Sequence, residues 1–177
     1  MNPFVRWSLL TLAIAGMVHA AGVLAGPSVI MHIAMTRIAG EGGANHWMFA
    51  PRTTPTTQRI VRSSPDLAYA ACAFDVSKGP VRIRVAGSTD YASLSLYGAN
   101  TDNFFSLNDR TMEPDGAEIV LIARGAAPPA GVDPAKVVVA PSRRGLALDR
   151  RLAPTPETFA HADAARRAID VCKPFQG

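Results

Sequence analysis

The sequence predicts a mainly β protein: a β-sandwich-like domain of about seven short strands with one C-terminal helix, preceded by an N-terminal transmembrane or signal helix. Three observations carry this. After position 64 the apolar residues fall in short alternating or clustered runs separated by turn formers. One segment near the C-terminus has helical spacing behind a capping residue. No Asp, Glu, Lys or Arg occurs from Trp7 to Thr36.

That leading stretch can cross a membrane, since Trp7 to Ala25 would span about 28 Å as a helix, close to the hydrocarbon thickness. Arg6 and the free amine form a small positive region, and Pro27 is expected to break or bend the helix. Two fates are open. The apolar stretch persists past "MVHAAG", which suits an uncleaved anchor, while the small residues there suit cleavage near Ala20 or Ala25. Arg37, Arg52, Arg59 and Arg62 follow the segment, and the positive-inside rule would keep them cytoplasmic, against the cysteine argument below. His19 and His32 lie 13 positions apart with Pro27 between them, and read as interface-seeking or packed histidines. Residues 1–38 are therefore taken as the anchor. Residues 39–64, with "GEGGANHW" and "APRTTPTTQR", sustain neither regular period and read as a linker. Residues 65–177 form the β-rich domain.

The strand candidates are Ala68–Asp75, Val81–Val85, Tyr91–Tyr97, Asn103–Leu107, Ala117–Ala123, Lys136–Ala140 and Gly145–Leu152. Between them lie "SKGP", "AGSTD", "GANTD", "NDRTMEPDG", "GAAPPAGVDPA" and "PSRR", all turn-rich. Gly79 and Pro80 turn the chain between the first two runs, with Asp75 and Ser77 available to hydrogen-bond the corner. In the second run Val81, Ile83 and Val85 face one way and Arg82 and Arg84 the other. In the third, Ala92, Leu94 and Leu96 face in, leaving Tyr91, Ser93, Ser95 and Tyr97 as an outer stripe, which is either a binding surface or an ordinary half-exposed face.

The helix starts at Thr155 as cap, Pro156 in the first turn and Glu157 at the positive end of the dipole. Phe159, Ala162, Ala165, Ile169 and Cys172 then fall on one arc, expected to lie on the sheet, with His161 on the surface. Cys72 alternates with Ala70 and Phe74 on a buried face. The two cysteines are thus expected to form a disulfide tying the last helical turn to the first strand, in an oxidising compartment. The alternative is two separate buried thiols.

The net charge of +4 comes from arginines placed singly or in pairs, without a dense basic tract or interleaved aromatics. Nucleic-acid binding is not predicted, and the charges read as solvated faces with at most weak attraction to anionic lipid. No nucleophile elbow, zinc-helix motif, Walker loop or dinucleotide fingerprint occurs, so neither a cofactor, a metal nor a catalytic residue is assigned. Asn100, Asp102, Asn103 and Asp109 are oxygen-rich, but lack the offsets of a calcium loop and read as turn residues.

"DVSKGPVRIRV" and "DYASLSLYGANTDNFFSLNDRT" together resemble the bacterial domain of unknown function 1254 family, in a short, membrane-anchored form. The matching positions are Asp75, Val76, Ser77, Gly79 and Pro80, then Tyr91, Ser93, Leu94, Thr101, Asp102, Asn103, Phe104, Arg110 and Thr111. The resemblance spans roughly Ser63 to Leu152. Longer relatives open this block with Asn-x-Asp-Thr-x-Tyr, whereas "SSPDLAY" keeps only Asp66 and Tyr69. The resemblance implies a β-sandwich-like fold and no established activity. It also implies a second β-rich domain, of family 1214, supplied as a separate chain. The expected role is an interaction or assembly module of the bacterial cell envelope, at the inner membrane and facing the periplasm. The rival is a small-ligand binder or enzyme using Asp66, Tyr69, Asp75, Tyr97, Asn103 and Arg110.

Overall fold

A computed structural model describes residues 2–54, 56 and 63–176. Arg59 and Arg62, which entered the orientation argument, lie outside the described residues. Helix α1 runs Pro3–Ala39, with Asn2 accepting from the Phe4 amide at its start and Gly40, at positive φ, ending it. Pro27 does not break the helix; α1 continues through it. A proline removes only one N–H from the ladder, and the rest of this 37-residue helix runs on around it. By length and composition α1 can cross a membrane. Its apolar side chains are exposed almost throughout, and Met31 alone is buried.

Nine strands follow: β1 Trp47–Phe49, β2 Leu67–Asp75, β3 Val81–Ala86, β4 Ala92–Gly98, β5 Asn103–Asn108, β6 Gly116–Ala123, β7 Val137–Ala140, β8 Arg144–Leu152 and β9 Val171–Pro174, with helix α2 (Pro156–Ile169) before the last. They form a five-stranded sheet in the order β1-β2-β8-β4-β5 and a four-stranded sheet in the order β7-β6-β3-β9. All ladders are antiparallel except β6 with β7. The seven runs read from the sequence are β2 to β8, and β1 and β9 are additional. One core cluster draws from both sheets: Ala70, Cys72, Phe74, Leu94, Leu96 and Ala147 from the first, Val81, Ile83, Val85, Ile119, Leu121 and Cys172 from the second.

The end of the chain departs from expectation. Helix α2 has the predicted start, with a reciprocal Thr155–Thr158 capping box, but stops at Ile169, and Cys172 sits on β9 opposite Ile83. Asp170 ends the helix in extended conformation and its carboxylate takes the Ala86 amide at 2.8 Å, so pairing with β3 competes successfully with another helical turn. The Cys72–Cys172 disulfide is present and joins β2 to β9, one strand from each sheet. The helix face also differs: Ile169 is exposed, and the buried residue of α2 is Arg166.

The outer stripe of β4 is a second correction. Ser93 and Ser95 are buried, because β4 lies between β8 and β5, where larger neighbours close over small side chains. Tyr91 Oη donates to Ser93 Oγ at 3.0 Å, or accepts from it, and Arg150 Nη2 donates to Ser95 Oγ at 3.2 Å. The close ladder next to β4 also requires Gly145, where an added Cβ would lie 2.1 Å from the Tyr97 carbonyl oxygen.

Candidate functional site

The six candidate residues are distributed over both ends of the five-stranded sheet. Asp66 and Tyr69 bracket Ser64 at one end of β2: the Tyr69 hydroxyl accepts from the Ser64 amide at 2.9 Å, and the Asp66 amide donates to Ser64 Oγ. Asp75 lies nine residues along the chain from Asp66, about 30 Å at strand rise. It accepts from the Ser77 amide (2.9 Å), from Ser77 Oγ (2.5 Å) and from Arg144 Nε (2.7 Å), forming the expected corner. Burial pushes its carboxyl up, but the Ser77 and Arg144 bonds outweigh this and hold it below the ordinary value. Tyr97 and Asn103 are cross-strand partners beside a bulge near the Asp75 end. Arg110 lies in the turn after β5, at the Asp66 end but three strands away from β2, its amide donating to Asn108 Oδ1. Among the described residues no hydrogen bond or ion pair joins the side chains of any two of the six.

Instead, the structure gathers charge beneath α2. Along β8, Gly145, Ala147, Asp149 and Arg151 alternate onto the core side, and Asp149 and Arg151 are buried. Arg151 Nε donates to Asp149 Oδ2 at 2.8 Å, and Arg151 Nη2 to Asp170 Oδ1 at 3.3 Å. Asp149 Oδ1 and Asp170 Oδ2 are buried without a donor among the described residues. Burial, with the neighbouring Asp149 charge, pushes Asp170 up to about 7 against the pull of Arg151. Burial pushes Asp149 up as well. Two carboxylates thus face one buried guanidinium. Above Arg151 a cleft of about 540 Å³ opens between the Gly87–Asp90 turn and α2, with Glu157, Thr158 and His161 on its wall. Such a cleft can take a small polar ligand.

Arg166 anchors the helix. It is fully buried, donates to the carbonyls of Tyr69 (2.6 Å) and Ala50 (2.8 Å), pairs with Asp163, and stacks 5.4 Å from the ring centroids of Phe49 and Phe159. The charges of Asp149, Arg151 and Arg166 escaped the sequence reading, which took arginine pairs as solvated. Strand alternation across "LALDRRL" was the available signal for the first two. None existed for Arg166, whose local pairing with Asp163 looks like that of a solvated helix face and whose two carbonyl partners lie about a hundred residues away.

The third feature is an open edge. β5 is the longest edge strand of either sheet, and its sequence Asn-Phe-Phe-Ser-Leu-Asn carries no charge and no proline. Asp109 bonds back to Ala92, so by antiparallel alternation the main-chain groups of Ser106 turn away from β4 toward the open side. Edges usually carry lysine, proline or cover against further pairing. A groove of about 510 Å³ beside β5 is lined by Phe105, Leu107 and Met112, with Arg84, Glu118 and Lys136 at its polar parts.

This fold is shared with a solved bacterial protein. The VPA0106 protein from Vibrio parahaemolyticus matches with TM-score 0.64 at 18% identity, over 89% of this chain and 40% of that one. An uncharacterised protein from Burkholderia cenocepacia matches with TM-score 0.46 at 20% identity, over 80% of this chain and 39% of that one. The chain thus spans about two fifths of the length of either. It belongs to the DUF1254 family of proteins of unknown function, whose sequence model matches residues 44–173. No match is found among curated proteins.

Proposed function

We propose that this protein is a membrane-anchored interaction module of the bacterial cell envelope. In this reading α1 spans the inner membrane, and the two sheets stand in the periplasm as a β-sandwich. A second β-rich envelope protein, of the 1214 family, adds along β5. The observation that carries the proposal is the uncharged, proline-free β5 edge, the kind of open edge used when a partner strand extends a sheet. The disulfide supports an oxidising compartment.

The test is chemical crosslinking in native membranes followed by recovery of this chain. A stoichiometric β-rich partner is expected with the wild type and not with Ser106→Pro, which removes an outward N–H while sparing the β4 ladder. Equal recovery with both proteins would rule out the edge. Protease added to intact spheroplasts should digest the β domain; protection of the domain would reverse the orientation.

A second reading, a small-ligand binding protein, is favoured by the cleft over Arg151. It predicts ligand-dependent thermal stabilisation that Ser106→Pro leaves unchanged and Ala162→Tyr, which fills the cleft from α2, abolishes.

A further inference from the structure

The tertiary structure sorts the charges by end. Helix α1 packs its last turns on Ala73 and Phe74 and reaches the tips of the β4–β5 and β7–β8 turns at Ser28. Everything N-terminal of Ser28 therefore projects beyond that end of the sheets, and that end faces the membrane in which α1 is anchored. The connections there carry Arg37, Lys78, Arg124, Arg143 and Arg144 against Glu41, Asp75 and Asp102. The opposite end carries Asp66, Asp90, Asp109, Glu113, Asp115, Asp133 and Glu157 against Arg52, Arg110 and Lys136 among the described residues. The arginines that look scattered along the chain thus make the bilayer-facing end basic and leave the far end acidic.

Within the basic end lies a cavity of about 660 Å³, walled on one side by Ser28 and His32 of α1 and on the other by Asn100, Arg124, Ser142 and Arg144. Arg144 is held in place through Nε by Asp75, so its two terminal nitrogens have no protein partner among the described residues. Arg124 has no acidic partner among the described residues. The single carboxylate on the wall, Asp102, accepts from Asn100 Nδ2 at 2.6 Å.

Depth decides what this cavity meets. If Trp7 marks one interface and about 20 residues cross the hydrocarbon, the other boundary falls near Gly26. Ser28 then sits about 3 Å beyond it and Met35 about 13 Å beyond it, at 1.5 Å per residue. That interval is the headgroup layer. We infer that this cavity, walled by α1 and the Arg124 and Arg144 turns, binds the phosphate group of an anionic phospholipid headgroup. Planar guanidinium groups with free N–H donors suit phosphate oxygens. The inference rests on the anchoring part of the reading above and goes beyond it, since a plain anchor needs no lipid selectivity.

The experiment uses the full chain reconstituted into phosphatidylcholine vesicles doped with phosphatidylglycerol. Flotation reports anchoring, and native mass spectrometry after mild delipidation reports retained lipid. Wild type is expected to float and to retain one phosphatidylglycerol. Arg124→Ala should float equally and retain it about tenfold less, the loss of a charge-assisted hydrogen bond. Lys173→Ala, an exposed cation outside the cavity, should behave as wild type. Floating protein whose lipid retention is indifferent to Arg124→Ala overturns the site and leaves the anchor standing. Protein that does not float overturns the anchor and the lipid assignment together. Inorganic phosphate is titrated separately into lipid-free protein in detergent. Saturation by phosphate, with no phosphatidylglycerol retained in the vesicle arm, would make free phosphate the ligand and overturn the lipid assignment.

Discussion

Replacing Asp170 by Asn tests the buried carboxylate pair most directly. In the folded chain Asp170 faces Asp149 across Arg151, has no exposed side-chain surface, and binds its proton with a pKa of about 7 against an ordinary 3.8. The folded state therefore holds more protons than the unfolded state between those values. The stabilising contribution of the protonated form is complete below about pH 3.8 and is lost as pH rises through about pH 7. Linkage over that interval makes the loss about 2.5 kcal/mol between about pH 5 and about pH 8. Asp75 and Asp163 act oppositely, since both are held below the ordinary value and lose their stabilisation on acidification. That loss lies at the acid side of about pH 5, outside the chosen window. In Asp170→Asn the amide oxygen still accepts from the Ala86 amide, and one carboxylate remains for one guanidinium. Urea denaturation of the full chain in detergent, followed by fluorescence of the buried Trp47, measures both proteins across the window. Subtracting the variant cancels groups remote from the pair and leaves the titration of Asp170 together with its coupling to Asp149. The wild type should lose about 2.5 kcal/mol relative to the variant on going to about pH 8. Parallel pH profiles would show that Asp170 does not carry the proton and would refute the reasoning.

Two further outcomes concern packing. Reducing the disulfide, or replacing Cys72 and Cys172 by Ala, reopens a loop with a sequence separation of 100 and should cost about 4.7 kcal/mol by chain entropy, seen as a lower denaturation midpoint. An unchanged midpoint would mean that the core alone holds the sheets together. Arg166→Ala should cost about 3 to 5 kcal/mol, and Arg166→Lys should not restore the two-carbonyl fork. Arg167→Ala, at a side chain 53% exposed, should cost at most about 1 kcal/mol. Equal losses at the two positions would show that burial of the guanidinium is not what docks α2.

Much of the β architecture was legible because alternation and turn residues are local. β2 to β8 each coincide within a residue or two with an apolar run bounded by Gly, Pro, Asn or Asp. β1 and β9 were not legible, being three and four residues long and held chiefly by pairing with β2 and β3. The cysteine pairing was readable from two residues on buried faces, while the element bearing Cys172 was not. The helical arc of α2 extends naturally to Cys172, and only the ladder with β3 cuts it short. The candidate site was read least well. Six conspicuous polar residues were grouped by the motif that contained them, and the sheet separates them along strands and across its width.

The order of residues alone determined that an uncharged apolar segment leads into alternating strands and a capped helix, because those features depend on neighbours within a few positions. Three-dimensional packing decided which charges disappear into the core and which collect at the end from which α1 emerges. Asp149 and Arg151 are neighbours on one strand, but Asp170 and the carbonyls of Ala50 and Tyr69 come to Arg151 and Arg166 from other elements, and a buried charge persists only where such partners converge.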